Sequence, residues 1–228
     1  LDLDNTLWGG IIGDDGAEGI VMGNETPAGM AYAEFQGYLK ALGKLGILLN
    51  VGSKNEESIA RTGFERADSV LKADDFLCFK ANWDPKHLNI AAMAKEINIL
   101  PESFVFVDDN PAEREIVRRE LPMVTVPELT CPEEYVAAID RAGYFEVTTL
   151  SADDKKRAEM YKQNAQRAQL EQSFGNYDDY LKSLDMVCEI GAFDAPHAER
   201  ITQLINKTNQ FNLTTRRYTA AEVESLLG

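Results

Sequence analysis

Short apolar runs alternate with amphipathic stretches along the chain as far as about residue 130. Residues 1–3 read as a strand stub, and the runs at 47–51, 76–79, 104–107 and 123–126 are the length of buried strands. Helical patterns lie between them. Thr26-Pro27 opens one, with Thr as N-cap and Pro at the first helical position. Its apolar stripe is Met30, Phe35, Leu39, Leu42 and Leu45, and Gly46 ends it. A second helix is expected over 56–63. A third starts after Asp84-Pro85, which repeats the cap-then-Pro signature, and runs to about Ile97. A fourth starts at Asn110-Pro111. The glycine-rich stretch between Trp8 and Thr26 reads as a β-hairpin, with arms at 11–12 and 20–22. It is either a flap over the end of the first strand or a structural hairpin.

Strand and helix in regular alternation predict an α/β fold, a doubly wound parallel sheet with helices on both faces. Such sheets bind ligands beyond the carboxyl ends of their strands. Functional residues are therefore expected just after strands.

Beyond Phe145 the pattern changes. A capping-box-like start at 151–154 precedes a long polar helix reaching about Ser173. A helix over 178–184, a strand over 186–190, a helix over 196–207 and a strand over 213–218 follow, and a last helix begins at 219–222. The expected division is a core over 1–145 and a smaller, incomplete α+β domain over 146–228.

Composition narrows the function. Of 228 residues, 44% are hydrophobic, ample for a packed core. The formal charge of -15 is the wrong sign for a nucleic-acid footprint. No apolar run reaches the roughly 20 residues of a membrane helix, and no secretory leader is recognisable. Cys78, Cys131 and Cys188 form no CxxC pair, which argues against zinc or a disulfide framework. They are expected to be buried small hydrophobes in a reducing cytoplasm.

Chemistry gathers at the strand ends. Asp2-Leu3-Asp4-Asn5-Thr6 follows the first strand, Gly52-Ser53-Lys54-Asn55 the second, and Asp108-Asp109-Asn110 the fourth, while Lys86 begins a helix. Asp2 can act as a carboxylate nucleophile on a phosphoryl group. Asp4, two residues along, can protonate the leaving oxygen and activate water. Carboxylates crowded into one crevice call for a hard cation, and Mg2+ suits them. Asp2, Asp108 and Asp109 are its side-chain candidates, with Asp4 offering a backbone carbonyl. Ser53 and the neighbouring residues Lys54 and Asn55, together with Thr6, are candidates to hold phosphate oxygens. Lys86 would balance their charge. Each piece has a plainer reading: Ser-Lys-Asn as a turn and cap, Lys86 as a solvated lysine, Asp-Asp-Asn-Pro as a capped loop. Their joint occurrence in order favours chemistry.

In that order these residues resemble the four motifs of the haloacid dehalogenase (HAD) superfamily. Receiver domains carry similar groups, but with the acidic pair first. The strings LDLDNTLWGG, FQGYLKAL, GSKN, NWDPK, FVFVDDNPAERE and KTNQFNLTTRRY are similar to the FkbH-like proteins of HAD subfamily IIIC, over nearly the whole chain. That resemblance implies phosphatase-like chemistry on a small molecule such as 1,3-bisphosphoglycerate. It also implies glyceryl loading as a thioester and transfer to an acyl carrier protein in polyketide extender-unit synthesis, with an acyltransferase-like C-terminal part. Gly52 departs from it, since the family often carries Cys there, and none of the three cysteines matches that place. Lys207, Asn209, Gln210, Asn212 and Arg216 form either a polar patch toward an acyl or carrier ligand or simply polar outer faces. Two other readings stand beside the first: a general HAD phosphomonoesterase, and a non-catalytic carrier-protein docking module.

Overall fold

A computed structural model describes residues 1–146, 156–208 and 213–226. The chain divides into two compact units, Leu1–Ser173 and Phe174–Gly228.

The first unit is a mixed α/β structure around a parallel sheet. After residues 1–3 come helices α1 (Ile12–Gly19) and α2 (Pro27–Lys44), then strand β1 (Leu49–Ser53) and helix α3 (Glu57–Thr62). Strand β2 (Phe76–Ala81) and helices α4 (Lys86–Glu96), α5 (Pro111–Glu120) and α6 (Tyr135–Asp140) follow. β1 and β2 pair in parallel, with Val51 opposite Phe79. Leu1 donates to the Asn50 carbonyl and accepts from Gly52 N, so residues 1–3 lie beside β1. Asp2 N donates to the Val107 carbonyl, and Phe106 and Thr125 are joined across a parallel bridge at Val105. The lanes run β2, β1, residues 1–3, residues 104–107, then Thr125. Residues 1–3 are thus the central lane, where chain order reverses, and that is where open α/β sheets place their ligands. The third, fourth and fifth lanes form no regular strand, and the strands expected at 1–3, 104–107 and 123–126 are confined to such isolated pairings.

The expected helix starts are largely seen. The Thr26 hydroxyl accepts from Gly29 N at 3.0 Å, with Pro27 first in the helix. Asn110 Oδ1 accepts from Ala112 N at 2.9 Å. Asp84 is not a cap, because α4 begins from Pro85 with no side-chain cap bond. The apolar stripe of α2 is buried at Phe35, Leu39 and Leu42 but exposed at Met30 and Leu45. Gly46, at φ 91°, turns the chain after it. Buried Gln36 staples the core: its amide donates to the Leu7 carbonyl and its oxygen accepts from Val70 N and Leu71 N.

The expected hairpin is not formed. Residues 12–19 are helical, broken at Gly16 where φ is 69°. One antiparallel bridge, Gly9 to Val21, closes the loop. Asp15 Oδ2 accepts from Ile11 N, and Asp4 Oδ1 accepts from Ile12 N, which together pin the helix start. A hairpin would leave Asp4 without that partner.

The second unit is helical among its described residues, at Tyr177–Ser183, Ala198–Lys207 and Ala220–Ser225. Tyr180, Ala198 and Val223 are buried in it. The last helix carries a capping box between Thr219 and Glu222. The strands expected at 186–190 and 213–218 are absent. Val187 and Ile190 are 88% and 93% exposed, with no neighbouring strand among the described residues to pair with. The expected capping box at 151–154 lies outside the described residues. Cys78 is buried as expected, but Cys131 and Cys188 are exposed, since each sits in a loop rather than on a core-facing element. Among the described residues no helix is long and apolar enough to cross a membrane.

Candidate active site

The central lane carries Asp2 to the carboxyl end of the sheet. Immediately after it the chain turns sharply, with Thr6 N and Leu7 N both donating to the Leu3 carbonyl and Asn5 at φ 55°. Asn adopts that left-handed conformation more readily than most residues. The turn is held from outside by the Tyr135 hydroxyl, which donates to the Asn5 carbonyl at 3.0 Å.

Asp2, Asp108 and Asp109 bring carboxylate oxygens within 4.8 Å of one another. Lys86, at the start of α4, reaches in from the side. Its Nζ lies 2.9 Å from Asp2 Oδ1 and 2.5 Å from Asp108 Oδ2. Asp2, Asp108 and Lys86 are all buried. Three carboxylates against one ammonium leave an excess of negative charge in a place poor in water. Burial, with the Asp2 charge adding to it, pushes the Asp108 carboxyl up to about 6 despite Lys86. Asp109 is raised for the same two reasons. For Lys86, burial alone would lower the ammonium, but the Asp2 and Asp108 carboxylates outweigh it and hold it above its ordinary value. A hard divalent cation fits this donor set by charge and by oxygen chemistry.

The acidic loop is braced on both sides. Thr6 donates its hydroxyl to Asp109 Oδ1 at 3.2 Å and accepts from Asp109 N at 3.1 Å. Arg114, buried on α5, donates to the carbonyls of Asp108 and Asp109 at 2.8 and 2.7 Å. With its carbonyls turned toward Arg114, the loop presents its carboxylates to Asp2.

The other predicted residues are placed as follows. The Asp4 carboxylate stands outside the three-carboxylate group and accepts from Trp8 Nε1, Ile12 N and Asn55 Nδ2. Ser53 is buried, its Oγ accepting from Asn55 Nδ2 at 3.2 Å. Lys54 is turned to the surface and paired with Glu113 at 2.6 Å. Of the C-terminal patch, Arg216 lies over the Tyr218 ring at 4.8 Å, and Lys207 ends a helix. Asn209, Gln210 and Asn212 lie outside the described residues. Two contributors, Trp8 and Arg114, were not among the predicted site residues, although both lie within the strings LDLDNTLWGG and FVFVDDNPAERE.

The fold and site define a mixed α/β protein with a parallel sheet and a buried carboxylate–lysine centre where its chain order reverses. The chain is similar to the solved N-terminal part of the protein BF1531 from Bacteroides fragilis, containing a phosphatase domain complexed with Mg. Identity is 46% and the TM-score 0.63, over 65% of this chain and 40% of that one. The chain thus spans about two fifths of that solved protein's length. No protein-family model matches it, and no curated protein does.

Proposed function

We propose that the chain is a Mg2+-dependent phosphatase of the HAD type acting on a small phosphorylated molecule. The observation that carries this reading is the buried Asp2–Lys86–Asp108 cluster beside Asp109, at the sheet's switch point. The likeness to a phosphatase domain complexed with Mg supports it. Asp2 is the nucleophile and forms an aspartyl-phosphate. Asp4 gives a proton to the leaving oxygen and later takes one from water. Lys86 orients Asp2 and offsets charge on the transferring group. Ser53 and the backbone beside it receive phosphate oxygens, and Thr6 keeps Asp109 in place. Mg2+, held by Asp2, Asp108 and Asp109, supplies neutralising charge.

The finer reading is an FkbH-like enzyme using 1,3-bisphosphoglycerate and an acyl carrier protein, with the C-terminal part acyltransferase-like. Gly52 favours the plainer phosphomonoesterase as a second reading. A Cβ at that position would meet only Met93 Cε, at 3.4 Å, so space does not forbid a Cys there. Gly52→Cys is therefore expected to fold, and a gained acyl adduct on it would favour the carrier route.

The test is Mg2+-dependent phosphate release from 1,3-bisphosphoglycerate and from an aryl phosphate, in the wild type and in Asp2→Asn. Release that needs Mg2+ and vanishes in Asp2→Asn is the expected result. Release that survives Asp2→Asn would reject Asp2 as nucleophile. A strong preference for the acyl phosphate supports the FkbH-like substrate, and comparable rates support the phosphomonoesterase.

A further inference from the structure

The Asp4 carboxylate is held more tightly than a proton carrier on a surface turn needs. Trp8 Nε1 donates to Oδ1 at 2.9 Å and Ile12 N donates to the same oxygen at 3.1 Å. Asn55 Nδ2 donates to Oδ2 at 2.8 Å. The donors come from three places: the residue closing the Asp2 turn, the start of α1, and the loop after β1. None of them can swing away easily. Trp8 is fully buried, stacked edge-on against Phe64 at 5.1 Å, and pressed so close to Gly63 that a Cβ there would lie 3.0 Å from its ring. Asn55 is buried and also tied to Ser53 Oγ.

A carboxylate has roughly four acceptor positions, two on each oxygen. Both on Oδ1 are taken. On Oδ2 only one is taken, by Asn55, among the described residues. Asp4 itself is only partly buried, so its remaining position is within reach of an incoming group.

We infer that Trp8 and Asn55 are positioning residues that fix Asp4 in one orientation and leave Oδ2 as the atom carrying the proton. This rests on the phosphatase reading above. In the first step the Asp2 oxygen bonds to phosphorus, the bond from phosphorus to the leaving oxygen breaks, and that oxygen takes the proton from Asp4 Oδ2. In the second, water attacks phosphorus, its proton passes to Asp4 Oδ2, and the bond from Asp2 to phosphorus breaks. Phosphate leaves and both carboxyls return to their starting forms. Trp8 and Asn55 act through Asp4, whose carboxylate accepts from both.

The experiment compares kcat/KM for phenyl phosphate and 4-nitrophenyl phosphate, which differ little in shape but greatly in leaving-group basicity. The proteins are the wild type, Trp8→Phe, Asn55→Ala and, as reference, Asp4→Asn, each with Mg2+. The poorer leaving group needs the proton more. Both positioning variants are expected to lose about five- to tenfold more on phenyl phosphate than on 4-nitrophenyl phosphate, a part of the roughly 10²- to 10⁴-fold that a placed general acid supplies. Equal losses on both substrates in both variants would overturn the assignment and leave these residues as packing only. Because Trp8→Phe also alters the core, Asn55→Ala, a polar change outside it, keeps the test decisive. If Asp4→Asn itself leaves the substrate ratio unchanged, the proton role of Asp4 fails instead. If the wild type acts on neither substrate, the phosphatase reading fails, and this assignment with it.

Discussion

At the residue scale, Asp108 titrates in the direction that a cation reverses. Its carboxyl is pushed up to about 6 in the folded protein, above the ordinary carboxylate value. The metal-free native state therefore binds this proton more tightly than the unfolded chain does. Stability from this group is full below the ordinary carboxylate range and is lost as pH rises through about 6. Mg2+ competes with that proton. Thermal melts with and without Mg2+ should show a small gain at about pH 5 and a clearly larger one at about pH 8. A gain independent of pH would place the ion elsewhere. Arg114 acts one layer out, through the carbonyls of Asp108 and Asp109. Arg114→Met is expected to weaken Mg2+ binding by about 10- to 100-fold, the usual effect of losing a partner that orients ligands. Calorimetric titration with Mg2+ reads this directly, and unchanged affinity would make the arginine a purely structural brace.

At the element scale, the helix starts decide where the acidic groups point. Asn110 caps α5 through Ala112 N, while its own backbone N–H holds Asp108 Oδ1 at 2.8 Å. Asn110→Ala should cost about 1 kcal/mol of stability, as cap losses do. Because the Asp108 bond comes from the backbone, Mg2+ affinity should change little. Denaturant unfolding and the same calorimetry separate the two effects. The strand-end carboxylates were legible from sequence because apolar runs mark strands and the fold rule places ligands after them. Thr26 and Asn110 were legible because a cap is a local contact. The stretch after Trp8 was not. Its glycines and paired isoleucines read as a turn between arms, yet its helix is started by Asp4, eight residues earlier. The strands expected near Val187 and Leu213 failed for a related reason. Apolar residues promise a strand only if a neighbouring one exists, and both side chains lie open to solvent among the described residues. Arg114 resembled any other helical arginine until the Asp108 and Asp109 carbonyls came beside it.

At the scale of the whole molecule, every residue of the carboxylate–lysine centre lies within the unit Leu1–Ser173. A fragment ending at Ser173 should keep Mg2+ binding and cooperative melting. Loss of both would show that the centre depends on the second unit. The central lane of the sheet has its own consequence for the living cell. Thr6 and Asp109 hold each other across 103 residues of sequence, and Asp2 reaches Val107 just as remotely. A ribosome delivers Asp2 about a hundred residues ahead of its partners Asp108 and Asp109. During that interval the lane of residues 1–3 can pair with β1 on one edge, and β1 with β2, while its other edge waits for Val107. Assembly of this centre therefore waits until Asp108 and Asp109 have been made, and a pause in translation ahead of Asp108 would hold the nascent chain in a state that contains Asp2 without its partners.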